Sequence, residues 1–226
     1  MTDDWLIDGP ERAAATVILA HGAGAMMDSP FMEAIASGLA AADLRVVRFE
    51  FPYMAKRRQD GKRRGPDRKP VLLESWRQVV TQLAPVDRLI VGGKSMGGRI
   101  ASELAASDGA ALGISGVVCL GYPFHPAGKP DQLRTEHLRA FPVPLLIVQG
   151  ERDALGAQSE VAHYDLDERI EFVWLPDGDH SFKPRKKSGH TEDENLAAAI
   201  SAVTSFAVSA NLRRFESETF HERPHR

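Results

Sequence analysis

The feature that most constrains the fold is an alternation of short apolar runs with longer amphipathic stretches. Six runs of about strand length, rich in β-branched residues, occupy residues 16–20, 45–49, 88–91, 116–120, 144–148 and 170–174. Several are apolar throughout, which is typical of strands covered on both faces. Helical spacing of apolar residues predicts helices at 29–42, 70–83, 96–106, 132–140 and 192–208. This order predicts an α/β fold with a mostly parallel, doubly wound sheet of about six to seven strands.

Length and composition fit one ordinary globular domain. The chain has 226 residues, of which 43% are hydrophobic and 26% charged, enough to bury a substantial core. We expect this domain over residues 1–210 and a loosely ordered tail over 211–226, where the apolar pattern stops. The acidic start lacks the features of a signal peptide, and no apolar run approaches the ~18 residues that span a bilayer. These features predict a cytoplasmic protein without a membrane partner.

The third apolar run leads directly into a glycine-rich turn that carries the candidate nucleophile. Residues 93–97 read Gly-Lys-Ser-Met-Gly, which matches the G-x-S-x-G nucleophile elbow with Ser95 between a strand and a helix. Glycines are needed there because the strained turn brings other backbone close to the serine. The same residues imitate the end of a P-loop, but that motif requires glycine at the position of Arg88. The elbow is therefore the better interpretation, with an incidental glycine-rich turn as its alternative.

Residues that would activate a serine follow in the order expected of an elbow fold, an acid and then a histidine. Asp153, after the fifth run, is the best candidate acid, with Glu151 as a weaker rival. The alternative for Asp153 is a helix-capping role. His180 follows the last run and is the one histidine of eight in the expected position.

No cofactor and no metal are predicted. Asp177 and Asp179 lie near His180 and could bind a metal on composition, but carboxylates in such a turn more often face solvent. The single cysteine, Cys119, lies in the fourth apolar run and is predicted to be a buried strand residue.

A serine mechanism also needs two donors that stabilise an oxyanion. The backbone N–H of Met96, after the nucleophile, is the expected first donor. The second should come from the H-G-x-G turn after the first run, where we assign Ala23, with Gly24 as the near alternative. The candidate substrate-binding residues around these loops are Gly22, Gly24, Lys94, Tyr122 and His125.

Together these segments resemble the α/β-hydrolase superfamily, and more narrowly its small dienelactone-hydrolase-like proteins. The matching segments are residues 21–24, 49–53, 92–99, 121–126, 149–153 and 177–182. The branch they resemble includes the testis-expressed proteins and a regulatory subunit of the non-specific lethal acetyltransferase complex. The resemblance implies a single-domain α/β-hydrolase fold, a Ser95–His180–Asp153 triad and oxyanion donors at Ala23 and Met96. It implies no particular substrate.

The expected function is that of a serine hydrolase acting through an acyl-enzyme on small carboxylic esters or thioesters. The alternative is a non-catalytic binding or scaffold module, since relatives of this branch also serve as complex subunits, and a protein partner stays open. The stretch 123–143 leaves room for one helix, so no cap domain is expected over the cleft.

Basic residues are concentrated in two segments of a chain whose net charge is −3. Residues 54–70, expected to form a loop, hold eight Lys/Arg against two Asp, and residues 183–187 hold four more Lys/Arg. Both segments follow strands at the carboxyl edge, where a positive rim would attract an anionic substrate. The alternative is a solvated loop. A nucleic-acid partner is not expected, because the segments lack interleaved aromatic residues.

Overall fold

The structure is a computed structural model that describes residues 5–219, with side chains as far as residue 209. Its strands are β1 (Leu6–Asp8), β2 (Thr16–Ala20), β3 (Arg45–Phe49), β4 (Leu89–Lys94), β5 (Ile114–Leu120), β6 (Leu145–Gly150) and β7 (Glu171–Leu175). Its helices are α1 (Pro30–Ala41), α2 (Pro52–Asp60), α3 (Lys69–Leu83), α4 (Met96–Asp108), α5 (Gln158–Val161) and α6 (Glu192–Thr219).

The strands form one mostly parallel sheet in the order β1-β3-β2-β4-β5-β6-β7. Strands β2 to β7 pair in parallel, and β1 alone among the described strands is antiparallel, on the edge beside β3. The predicted single-domain α/β fold is thus confirmed. Strand β1 escaped prediction because its three residues are too few to show a pattern.

Helices cover both faces of the sheet. On one face, α1 and α6 bury Met32, Ile35, Leu39, Val203 and Phe206. On the other, α3 and α4 bury Trp76, Val79, Val80, Ile100 and Leu104. Because both faces are covered, β2 and β6 are buried at every position, which explains their continuous apolar runs. Cys119 lies fully buried on β5, as predicted.

The predicted helix over residues 132–140 is wrong. This stretch contains a 3₁₀ turn at Glu136–Leu138 and otherwise follows the surface irregularly. Apart from that turn, its backbone binds other loops: Arg134 N–H donates to the Phe124 carbonyl, and just after the stretch Phe141 N–H donates to the Asp167 carboxylate. Within the described residues, the connections after β5 and β6 hold only this turn and α5. As expected, no cap domain covers that edge.

The first half of the basic segment 54–70 is helical, so the prediction of a loop there is wrong. Helix α2 begins with Pro52 in its first turn and ends at Asp60; the next residue, Gly61, has a φ of 70°, which suits a residue without a side chain. Tyr53 and Met54 are buried and anchor the helix to the core.

Helix α6 runs to Thr219, past both its predicted end at residue 208 and the predicted boundary at 210. Residues 220–226 of the predicted tail lie outside the described part of the chain. No helix between residues 5 and 219 is both long and apolar enough to cross a membrane.

Candidate active site

Ser95 occupies a strained turn between β4 and α4. Its backbone has φ 52° and ψ −115°, a conformation uncommon for a residue with a side chain. The flanking glycines are required because the end of β2 presses on the turn. A Cβ on Gly93 or Gly97 would lie 2.1 or 2.3 Å from the carbonyl oxygen of Ala20. The strand, turn and helix thus hold the Ser95 hydroxyl at the carboxyl edge of the sheet.

Ser95, His180 and Asp153 form a continuous chain of hydrogen bonds. His180 Nδ1 donates to Asp153 Oδ2 at 2.7 Å, which leaves Nε2 free to accept the Ser95 hydroxyl proton at 2.9 Å. The Asp153 carboxylate is fully buried, whereas His180 and Ser95 are half-buried. This is the arrangement in which a histidine can act as general base toward a serine.

The loops after β6 and β7 touch each other, and this contact brings the acid to the histidine. A Cβ on Gly150 would lie 2.4 Å from the carbonyl oxygens of both Gly178 and Asp179. The rival acid Glu151 faces elsewhere, because its carboxylate accepts the Asp177 N–H at 2.8 Å.

Gln149, at the end of β6, is part of this site and received no role from the sequence. Its side-chain amide donates to Asp153 Oδ2 at 2.9 Å, and its Oε1 accepts the Tyr122 N–H at 2.6 Å. Leu155 N–H donates to the other Asp153 oxygen at 2.8 Å. The carboxylate therefore has three donors, counting His180. A polar residue ending an otherwise apolar strand is the signal that could have revealed Gln149.

The turn after β2 lies against the nucleophile. A Cβ on Gly22 would be 3.7 Å from the Cβ of Ser95. Ala23 and Gly24 are exposed beside it, and Met96 opens α4 on the other side of the serine. Among the described residues, neither the Ala23 N–H nor the Met96 N–H has a protein acceptor. Both amides are free to bind an oxygen of a substrate.

His21 and Tyr53 hold this turn in place, a role the sequence did not reveal. His21 is buried; its Nδ1 donates to the Gly22 carbonyl at 2.7 Å and its Nε2 accepts the Phe51 N–H at 3.1 Å. Burial lowers the pKa of His21, so the ring is neutral with its proton on Nδ1. Tyr53 donates its hydroxyl to the Ala23 carbonyl at 3.0 Å.

Three of the residues predicted to bind substrate have their polar groups bound to protein instead. Tyr122 is fully buried and donates its hydroxyl to the Arg134 carbonyl at 2.7 Å. His125 is buried beside Glu160, with Nε2 and the carboxylate 3.2 Å apart. Lys94 donates to the His180 carbonyl. These three side chains are thus held by other protein groups, whereas Gly22 and Gly24 lie in the turn beside Ser95.

A second serine–histidine pair joins a buried serine to a half-buried histidine. Ser102 Oγ and His137 Nε2 are 2.9 Å apart, and the serine hydroxyl donates to the Arg99 carbonyl at 2.8 Å. Ser102 lies within α4 and is fully buried, and no described carboxylate orients His137. This pair therefore lacks the strained turn, the exposure and the acid that accompany Ser95.

Ion pairs occupy several cations of the basic segments. Arg58 binds Asp28 and Glu50, and Arg64 binds Asp60. In the second segment, Arg185 binds Asp177. Cations without an ion pair to a described residue include Lys56, Lys62, Arg63, Lys186 and Lys187. Across the described part of the chain, no group of three or more His, Cys, Asp or Glu is placed to hold a metal ion.

Comparison with known proteins gives the family. Residues 13–208 match the family model described as "Alpha/beta hydrolase domain", and the chain belongs to this family. The narrower resemblance to the testis-expressed and acetyltransferase-complex branch stays a prediction.

Solved structures share the fold at low identity. An α/β serine hydrolase without a lid from Xanthomonas campestris is 21% identical over 89% of this chain and 88% of its own, with a TM-score of 0.61. A dienelactone hydrolase from Anabaena variabilis is 21% identical over 92% and 90%, with a TM-score of 0.64. Est1E from Butyrivibrio proteoclasticus is 16% identical over 92% and 94%, with a TM-score of 0.66. At these identities the likeness establishes the architecture.

Proposed function

We propose that this protein is a serine hydrolase that cleaves small carboxylic esters or thioesters through an acyl-enzyme on Ser95. The observation that carries the proposal is the hydrogen-bond chain from Ser95 through His180 to the buried Asp153. This series of hydrogen bonds, on a strained strand-to-helix turn, suits nucleophilic catalysis. A serine hydroxyl is a weak nucleophile, so it needs a histidine as general base and a carboxylate that orients the histidine.

The first half of the reaction forms the acyl-enzyme. Ser95 Oγ attacks the carbonyl carbon while its proton moves to His180 Nε2. The carbonyl oxygen becomes an oxyanion, which the N–H groups of Ala23 and Met96 stabilise by about 3 kcal/mol each. Asp153 keeps the proton on His180 Nδ1 and stabilises the imidazolium. When the tetrahedral intermediate collapses, the imidazolium gives its proton to the leaving alcohol or thiol.

Water completes the cycle by the same groups. His180 takes a proton from the attacking water, whose oxygen bonds to the acyl carbon, and the second tetrahedral intermediate releases the acid. Ser95 Oγ then recovers its proton from the imidazolium. The carboxylate of Asp153 stays ionised in both halves of the cycle.

The surroundings of Ser95 support small or surface-presented substrates. No cap domain covers the carboxyl edge within residues 5–219, and Ala23 and Gly24 beside the serine are exposed. Several proteins of similar structure, a serine hydrolase without a lid and a dienelactone hydrolase among them, belong to this class and support the proposal. The unpaired cations of the basic segments favour an anionic substrate. We further propose a cytoplasmic location and membership of the branch named above.

A fluorophosphonate probe tests the proposal, because it reacts with activated serines. We expect the native protein to be labelled on Ser95 and Ser95→Ala to be unlabelled. Ser102→Ala is the matched control: it removes the hydroxyl of the other serine–histidine pair and should be labelled like the native chain. A native protein that does not react, or equal labelling of native and Ser95→Ala protein, would favour the non-catalytic scaffold, with a protein as its partner.

A substrate panel then separates the finer alternatives. Esters and thioesters of matched acyl length measure the preferred bond, and esters with and without a carboxylate tail measure the effect of the basic segments. Equal kcat/KM and equal salt dependence for charged and neutral esters would exclude electrostatic attraction.

A further inference from the structure

Two consecutive residues hold His180 at opposite ends. Ser95 binds its ring at Nε2, 2.9 Å away, and Lys94 donates from its ammonium group to the main-chain carbonyl of the same histidine. Lys94 is the last residue of β4, so its backbone belongs to the rigid centre of the sheet. The position of His180 relative to the nucleophile is thus tied to one short piece of chain.

A small enclosure surrounds the Lys94 ammonium. Its Nζ lies 5.1 Å from the ring centre of Phe31 on α1 and 5.3 Å from that of Phe182, two residues after His180. Aromatic faces attract a cation and also exclude water from it. Gly121, directly after β5, leaves space for the ammonium group because it has no side chain. A Cβ there would lie 2.6 Å from Nζ and 3.0 Å from the His180 carbonyl oxygen.

This ammonium occupies a place that disfavours a charge. Burial lowers the pKa of Lys94 to about 8, against the opposing attraction of Asp153 and Asp179. The ionisable groups that face it are these two carboxylates and the His180 ring, while α1 contributes the Phe31 ring. Lys94 is half-buried as a whole residue, and its ammonium lies at the enclosed end. A cation held away from water weakens a fold compared with an apolar side chain of similar volume. Lys94 therefore lowers the stability of the fold, which indicates that its contact with His180 serves a function.

We propose that Lys94 is a positioning residue, whose ammonium fixes the His180 backbone so that the ring stays aligned between Asp153 and Ser95. The inference rests on the proposed function, in which His180 is the base. Alignment matters because a shift of about 1 Å in a catalytic group can lower a rate by about 100-fold. Without the ammonium, the two side-chain hydrogen bonds alone would have to hold the ring.

The isosteric variant Lys94→Met tests this role. We expect kcat to fall roughly 10- to 100-fold while KM changes by less than about threefold, because alignment is lost and the cleft is not. The thermal midpoint should stay the same or rise, since a partly desolvated charge has been removed. Lys129→Met is the matched control, because Lys129 is exposed and its side chain has no described partner.

The pH dependence of kcat shows whether Lys94 holds the His180 carbonyl through its charge or only packs against it. In the native enzyme, kcat should fall above about pH 8, where Lys94 loses its proton. Lys94→Met should lack this decline. Phe31→Ala admits water to the ammonium, which raises the pKa of Lys94 toward its ordinary 10.5 and moves the decline up by about one pH unit. This second variant decides the question if Lys94→Met does not fold.

A measurement independent of turnover separates this inference from the proposed function. The proton between His180 and Asp153 should give a low-field NMR resonance that is absent from His180→Asn and broadened or shifted in Lys94→Met. A changed resonance in a protein that fluorophosphonate does not label would overturn the hydrolase and support the tether. The inference is overturned if Lys94→Met matches Lys129→Met in kcat, pH profile and resonance. It is equally overturned if kcat and thermal midpoint fall together and Phe31→Ala leaves the pH profile unchanged.

Discussion

The side-chain amide of Gln149 donates a hydrogen bond of 2.9 Å to Asp153 Oδ2, the same oxygen that accepts the proton of His180 Nδ1. The Gln149 amide also lies 3.1 Å from the Tyr122 carbonyl and 3.2 Å from that of Gly156. It therefore connects the end of β5, the end of β6 and the loop that carries the acid. The orientation of the acid depends on a side chain that does not touch the nucleophile.

Replacing Gln149 by leucine should lower both activity and stability. We expect kcat/KM to fall about 10- to 100-fold, and the free energy of unfolding to fall by about 2–4 kcal/mol, because several buried polar groups lose their partner. Steady-state kinetics and denaturant titration measure the two effects. The exposed Gln158→Leu, at the start of α5, controls for the change of residue type. If Gln149→Leu keeps the native kcat/KM and free energy of unfolding, Gln149 does not orient Asp153.

The two candidate acids differ in what they touch. Asp153→Asn keeps the shape of the side chain but favours the wrong His180 tautomer, so kcat should fall about 10³- to 10⁴-fold. Glu151→Gln should lower kcat less than tenfold, since Glu151 binds the Asp177 N–H instead. Kinetics of the two variants on one ester settle the assignment. Equal losses would reject it.

Two glycines near Ser95 should differ in how much stability they lose on substitution by alanine. At Gly97 a Cβ would lie 2.3 Å from the Ala20 carbonyl oxygen, so Gly97→Ala should reduce the free energy of unfolding by about 1–3 kcal/mol despite its better helix propensity. At Gly22 the nearest atom, Lys94 Cγ, would be 3.5 Å away, an ordinary contact. Gly22→Ala should cost less than about 1 kcal/mol in the same denaturant titration. A reversed order would mean that the turn is built differently.

Stability should decline as the pH falls below about 6.5. Burial lowers the pKa of His21, and that of His137 as well, in the folded protein from the ordinary 6.5. Below that pH the histidine is protonated in the unfolded chain but stays neutral in the folded chain. The free energy of unfolding then falls by up to about 1.4 kcal/mol per pH unit for a residue as buried as His21. Unfolding titrations between pH 5 and 8 measure it. His21→Asn should flatten the slope, whereas the control, the exposed His163→Asn, should not.

Patterns that repeat over several residues were predictable from the sequence. The six parallel strands were found because burial on both faces leaves long apolar runs. The positions of Ser95, Asp153 and His180 at strand ends followed from the order of elements, and the structure brings these three side chains together. Short elements such as β1 and α5 offer too few residues for a period to show.

Side-chain directions were not predictable, because they depend on packing between distant segments. Lys94 looked like a group facing substrate, yet Phe31 on α1 and Phe182 after β7 enclose its ammonium. Tyr122 lies two residues after β5 near the carboxyl edge, but its ring is buried in the core. Gln149 acquired its contacts only when the ends of β5 and β6 came together.

The reactivity of the buried Cys119 can report how often the packing beside the nucleophile opens. Cys119 is the sole thiol in the 226 residues, and a Cβ on Gly98 of α4 would lie 3.2 Å from its sulfur. Burial also raises the pKa of that thiol. An alkylating reagent can therefore reach the sulfur only when the packing of α4 on β5 opens, either locally or by global unfolding. When alkylation is faster than reclosing, its rate measures how often that packing opens beside Ser95.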